Sequence, residues 1–309
     1  MGREPFTGEG MIVAAVKRSS LDRSNRRWGM AFLVPILLFL VLFMAYPVVS
    51  VIYYSFTSWN GMGKVDFVGF ANFADIFTSR EFWQVFRNNL YFLLVGVPVW
   101  TLFPLVIAIV LFEQVRGSGF FKSAFFFPSI FSPVIVGLLF KNFFAYDGPI
   151  NVILRALGLD RLALEWLASG ATSIPIIIIV INWAGFGAAT LIYLAGMSTI
   201  DISILESARL DGASWLRRLT AIMLPMIRRV VQLQIVLNII YAFTQLFSYV
   251  FVMTNGGPGY ESTVVEYFIY MKAFRSNQLG YACAIAMFLF VVVLAVSLFQ
   301  QRLFARRED

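Results

Sequence analysis

Charge is strongly segregated along this chain, and that segregation limits the fold more than any other property. Charge-free stretches run from Trp28 to Gly63, Asn88 to Phe112, Ser123 to Phe140, Trp166 to Ile200, Val230 to Tyr260 and Ser276 to Gln301. Each approaches or exceeds the roughly 20 residues that carry a helix across a bilayer. Only 13% of the residues are charged, about half the usual 25% share. The sequence therefore predicts an all-α membrane protein with six transmembrane helices, the third being the shortest. The first apolar run is too long for a signal peptide and lacks a small-residue cleavage site, so it is read as a retained membrane helix. The expected organisation is a basic tail at residues 1–28, one six-span domain at 29–301 and a basic tail at 302–309. No internal repeat or low-complexity linker interrupts it.

Between the fourth and fifth apolar blocks, Asp201 to Arg229 carries eight charged side chains. A charge at the bilayer centre costs about 2.5–3.5 kcal/mol, so eight would cost roughly 20 kcal/mol and the segment must lie outside the hydrocarbon. Basic residues then set the orientation. With six spans, the termini and the loops after spans two and four share one side, which holds sixteen Lys and Arg residues against eight on the other. The richer side is expected to be cytoplasmic, with both termini and the loop at about 199–229. The net charge of +7 is accounted for by this bias and gives no reason to invoke nucleic acid.

That loop has a readable local structure. Glu206 to Leu210 suits a short helix, Gly212 supplies the left-handed residue that commonly ends one, and Ser214 can cap a second. Leu216, Leu219 and Met223 then form an apolar stripe. Pro225 closes the unit before the next span. Small residues at 207, 208, 212 and 213 leave a surface on which another backbone can pack. An ordinary amphipathic connector is the alternative reading.

Several chemistries are missing from the sequence. With no histidine, there is no Ser-His catalysis and no histidine metal ligand. No G-x-x-x-x-G-K-[ST] sequence occurs, so no Walker-type ATPase is expected here. The six charge-free blocks contain no ionisable relay of the kind proton-coupled carriers keep in the membrane. Cys283 is the single cysteine and sits in the last span, where no internal disulfide can form and an apolar setting leaves it inert.

The spacing Glu206-Ser207-Ala208, three residues, Gly212, nine residues, Ile222-Met223-Leu224-Pro225 resembles the cytoplasmic EAA loop of permeases in binding-protein-dependent ABC importers. Only Ser207 departs from it, standing where the first Ala is usual. Phe67-Val68-Gly69-Phe70-Ala71-Asn72-Phe73, Phe126-Phe127-Pro128, Leu194-Ala195-Gly196-Met197 and Asn255-Gly256-Gly257-Pro258 are similar to the sugar-type permeases, the family of the large maltose-permease subunit. The likeness runs from about Leu33 onward. The roughly thirty-residue first outer loop leaves no room for the external domain of the maltose subunit. The resemblance implies a permease in a bacterial inner membrane, surrounded by lipid. It further implies a second permease, two copies of an ATPase that binds ATP and Mg, an external binding protein and a sugar-like solute. Glu206, Ser207, Ala208, Asp211, Gly212 and Pro225 would then meet the ATPase, and Asn255, Gly256, Gly257 and Pro258 the binding protein.

Spans four and five hold the expected solute pathway. Asn182, Trp183 and Gly185 lie at mid-span in the fourth. In the fifth, Asn238, Tyr241 and Gln245 fall at i, i+3 and i+7 on one helical face, with Phe243 on a neighbouring one. Amides and hydroxyls satisfy sugar hydroxyls, and aromatic rings cover sugar C–H faces. The same residue types also glue membrane helices together. An importer for another solute class and a self-contained carrier are the rival readings. Co-purification with an ATPase separates the carrier from both importers.

Overall fold

The computed structural model describes residues 28, 30, 32–113 and 117–305. The expected basic tail up to residue 27, Arg116, and Arg306 and Arg307 lie outside the described residues. The chain divides into two compact units, Met1–Tyr54 and Ser55–Asp309. In the first, helix α1 (Phe32–Ser55) has a mean hydropathy of 2.7. Its 24 residues reach about 36 Å at 1.5 Å each, enough for a hydrocarbon layer about 30 Å thick.

The second unit begins with a short return of the chain, an isolated bridge between Thr57 and Phe67. This is the only strand-like pairing among the described residues. Helix α2 (Ala71–Thr78) follows, pinned by Asn72, whose Nδ2 donates to the carbonyls of Ser55 and Thr57 at 2.9 and 2.8 Å. Ser79 caps α3 (Arg80–Phe112) by accepting from the Phe82 amide. The segment from Glu81 to Arg87 and the second span are therefore one continuous element, with a π-turn at Phe92–Gly96.

Span three is broken. Helices α4 (Ser118–Ile130) and α5 (Pro133–Phe143) meet at 97°. Pro133 cannot continue a preceding helix, and Ser132 caps the new one by accepting from the Ile135 amide. Helix α6 (Pro149–Ala156) starts on Pro149, which suits a first helical turn. Its apolar side is open, with Ile153 56% and Leu157 68% exposed. The anchor is Asn151 on the other side, which accepts from Trp166 Nε1 at 2.8 Å and donates to the carbonyls of Tyr146 and Leu164. At α2 as well, Phe70 just before the helix and Phe77 within it are exposed, and Asn72 and Ile76 are the buried residues.

Helix α7 (Gly170–Met197) is the fourth span. The polar loop forms α8 (Ile202–Leu210) and α9 (Trp215–Met226), and α9 meets α10 (Arg228–Thr244) at a 68° bend. Span five continues past a break into α11 (Phe247–Met253). Helix α12 (Val265–Tyr270) and the last span, α13 (Leu279–Ala305), complete the unit. Among the described residues, four helices are long and apolar enough to cross a membrane, and up to six when each bent pair counts as one span.

Span two packs along span four, and the two share separate buried clusters at either end. Phe92, Val97 and Trp100 meet Ile174 to Ala184 with α10 and α11, while Leu105 to Leu111 meet Tyr193 and Met197 with the α9 end of the loop. A third cluster joins Phe82 and Val85 to Phe243, Phe268 and Ile285. Helix α4 reaches α7 through backbone. A Cβ on Gly187 would run into the Phe125 carbonyl, and Ser129 Oγ donates to the Ala184 carbonyl at 2.9 Å. Small residues permit this close approach in membranes. Gly187→Val should therefore lower stability by about 1–3 kcal/mol, as overpacking does. Gly185→Ala should leave it unchanged, because nothing lies within 4 Å of a Cβ there. Thermal unfolding of both variants in detergent checks the contrast.

Candidate functional site

A cavity of about 270 Å³ opens between spans two, three, four and five. Asn182 and Gly185 from α7 and Asn238 and Tyr241 from α10 line it, so four of the seven expected pathway residues meet at one place. Asn238 Nδ2 donates to Thr101 Oγ1 at 3.0 Å. Asn182 Oδ1 is a buried acceptor with no donor among the described residues. Tyr241 and Tyr249 present their phenol rings to the same space. These groups offer hydrogen bonds beside an aromatic wall.

Three residues missed by sequence reasoning build that wall and its floor. Trp100 stands edge-on to Tyr241, with ring centroids 5.6 Å apart, and its Nε1 donates to the Ile178 carbonyl at 3.0 Å. Ser129 and Tyr249 line the same space from the α4 end and from α11. A tryptophan in mid-span, away from the interfacial belts where Trp concentrates, was a readable signal.

The other three expected residues lie elsewhere. Phe243 is buried in the cluster with Phe82 and Phe268. Trp183 packs its edge on Phe140, with centroids 5.0 Å apart. Gln245 is exposed at the C-terminus of α10 with φ −137°, because the helix ends before it and the i+7 relation is lost. Two larger clefts, about 620 and 480 Å³, contain none of the expected pathway residues.

The polar loop folds as its residues predict. Asp201 caps α8 by accepting from the Ser203 amide at 3.0 Å, and the bonds from Ser203 hold its carboxyl below the usual carboxylate range. Gly212 has φ +79°, and Ser214 accepts from the Arg217 amide. In the expected stripe, Leu219 and Met223 are buried but Leu216 is 61% exposed. Glu206, Ser207, Asp211, Gly212 and Pro225 are exposed and Ala208 is half-buried. Leu210 is 89% exposed beside them. Trp215 Nε1 donates to Glu113 Oε1 at 2.9 Å, tying the loop to the end of span two.

The outer turn is held rigidly rather than being the flexible stretch its glycines imply. Asn255 Oδ1 accepts from the Tyr267 hydroxyl at 2.6 Å and from Arg275 at 3.0 Å. Ser262 and Thr263 donate to the carbonyls of Gly257 and Gly256. Gly256 is buried, and a Cβ there would strike Thr263 Oγ1 and the Tyr267 ring, so it shapes the turn from within and offers no contact surface. Asn255 and Pro258 are exposed and Gly257 is half-buried.

Residues 73–309 match the family of binding-protein-dependent transport system inner membrane components. The chain is 32% identical over 279 residues to the probable ABC transporter permease protein YurN of Bacillus subtilis (strain 168), covering 88% of this chain and 94% of that protein. It is 31% identical over 280 residues to the multiple sugar-binding transport system permease protein MsmF of Streptococcus mutans, covering 90% and 96%. Among solved structures, it is similar to a chain of a bacterial alginate ABC transporter in complex with an alginate pentasaccharide-bound periplasmic protein. That match has a TM-score of 0.80 at 26% identity, over 92% of this chain and 96% of that one. The chain belongs to the family of binding-protein-dependent transport system inner membrane components. It is a multi-pass permease subunit of an ABC importer, and the family implies a separate ATPase.

Gly185 is exposed and open around its Cβ position, so a large side chain fits there only by filling the cavity. Gly185→Trp should cut transport by the assembled complex at least tenfold and leave assembly and basal ATP hydrolysis near parent levels. Uptake into proteoliposomes, set against co-purified ATPase, measures both.

Proposed function

We propose that this permease forms half of the translocation pathway for a sugar or oligosaccharide, and that the 270 Å³ cavity is its share of the solute site. The observation that carries this reading is the gathering of Asn182, Asn238, Tyr241, Tyr249 and Trp100 around one space, with a buried acceptor left for a ligand donor. Amides and hydroxyls take sugar hydroxyls, and the rings cover apolar sugar faces. The volume falls just below the roughly 300–1,000 Å³ of complete ligand pockets, as expected of a half-site that a second permease completes. The names of MsmF and of the alginate transporter support the carbohydrate class.

In this reading Glu206, Ser207, Ala208, Asp211, Gly212 and Pro225 form the cytoplasmic docking surface for one of two ATPase copies, which bind ATP and Mg. Exposed Leu210, Trp215 and Leu216 beside them give that surface apolar area to bury. Both termini are cytoplasmic, by the sixteen-to-eight excess of basic residues. Asn255, Gly257 and Pro258 face outward to the solute-binding protein. ATP-driven closure of the ATPase dimer moves the loop and rocks the spans.

The isolated chain should hydrolyse no ATP and move no solute, while the chain purified from its host should bring an ATPase and a second permease. Glu206→Lys should reduce ATPase recovery or nucleotide-coupled transport at least tenfold without lowering the thermal stability of the permease, since Glu206 is exposed on α8. A variant that assembles and couples like the parent makes the loop a connector. Thermal shifts of the partner binding protein with lactose and with alginate oligosaccharides separate neutral from acidic solutes.

A further inference from the structure

Glu266 is a half-buried acid beside the break in span five, and its bonds leave its own helix. Its Oε2 accepts from the amides of Leu246 and Phe247 at 2.8 and 3.0 Å. These amides open α11 and have no intrahelical partner, as at any helix start. Asn89 completes the splice. Its Nδ2 donates to the Ala242 carbonyl at 3.0 Å, and its Oδ1 accepts from the Val265 amide at 2.8 Å. Ala242, Leu246 and Val265 are all fully buried, so water cannot replace these bonds. Burial pushes the Glu266 carboxyl up to about 7, against the downward pull of the two amide bonds.

The splice lies between two functional surfaces. On one side, Tyr249 of α11 lines the cavity together with Tyr241. On the other, Tyr267 follows Glu266 directly and donates to Asn255 of the outer turn at 2.6 Å. Rings on α11 and α12 close the gap between them: Phe247 lies 5.6 Å from Phe251 and 5.8 Å from Tyr267. With the start of α11 fixed to α12, neither helix can shift without carrying the other.

We propose that Glu266 is a positioning residue of the transport cycle. Its carboxylate holds the break in span five so that the cavity wall at Tyr249 and the outer turn at Asn255 move as one body. The role rests on reading the cavity as the solute pathway, but the coupling itself can be measured without solute.

The experiment is hydrogen–deuterium exchange on the complete complex in nanodiscs, with and without ATP plus vanadate. Peptides spanning 246–253 and 254–263 are followed against the loop at 202–226. In the parent, both outer segments should respond to nucleotide by the same factor. Glu266→Ala orphans two amides and Glu266→Asp draws the carboxylate back by one methylene. Both should speed exchange at 246–253 at least tenfold and abolish the nucleotide response of 254–263, with the loop unchanged. Glu266→Gln keeps an acceptor oxygen in place and should behave as the parent. A parent turn that ignores nucleotide, an intact coupled response in Glu266→Ala and Glu266→Asp, or a uniform rise in exchange including the loop each overturns the proposal. Failure of Glu266→Ala and Glu266→Asp to assemble makes the residue a folding determinant and also overturns it, as does Glu266→Gln behaving like Glu266→Asp. Failure of Gly185→Trp to block transport would instead remove the cavity reading and leave this coupling standing.

Discussion

A membrane helix that stops inside lipid leaves amides and carbonyls with no water to take them, and this fold depends on how those groups are satisfied. Span five stops after Thr244 and restarts at Phe247. The freed Ala242 carbonyl goes to Asn89, and the Leu246 and Phe247 amides go to Glu266. Asn88, the neighbour of Asn89, donates to the carbonyls of Tyr260 and Thr263 and so ties down the chain that delivers Glu266. At the start of span two, then, a pair of asparagines organises an element more than 150 residues away. The break in span three uses the same principle more locally, with Ser132 capping α5.

The breaks also make the site possible. Had α10 run straight, Asn238, Tyr241 and Gln245 would have shared one face. Instead the chain turns at Gln245, that residue is exposed, and Tyr249 of the next helix joins Tyr241 in the cavity lining. Span four contributes through two glycines with opposite duties. Gly185 leaves open space in the cavity wall, while Gly187 lets the α4 backbone approach as closely as a membrane helix allows. Two residues of one Gly-Phe-Gly run thus set the pocket and the packing that supports it.

What the sequence revealed follows the range of the forces involved. The spans were legible because burying charge in lipid is costly wherever it occurs. Gly212 and Ser214 were legible because capping is a rule about neighbours. The break at Gln245 was not, since Thr244-Gln245-Leu246 contains neither Pro nor Gly and its cause is Glu266, twenty residues further on. That Phe243 and Trp183 lie outside the cavity lining was hidden for a related reason. An aromatic ring in a membrane helix serves packing and binding equally well, and only tertiary neighbours decide which. The Asn255 turn erred in the other direction, because three glycines hide the side chains from Ser262 to Arg275 that hold it still.

The two ends of the molecule are stiffened by different means, and this bears on how a push at the loop reaches the cavity. On the loop side the connection is apolar. Leu219, Met223 and Ile227 share one buried cluster with Leu105 and Ile109 of span two and Tyr193 and Met197 of span four. Trp215 adds a bond to Glu113. A load on α8 and α9 is therefore delivered to α3 and α7 together, the two helices that carry Trp100 and Asn182 into the cavity. On the outer side the connection is polar and runs through Asn89, Glu266 and Asn255, all acting on α11 and α12. Close apolar packing loses much of its energy over a gap of about an ångström, and hydrogen bonds weaken steeply away from their preferred geometry, so each connection holds the helices it joins in a defined arrangement. The helices that line the cavity are thus tied by packing on the α8–α9 side and by directional bonds on the Asn255 side.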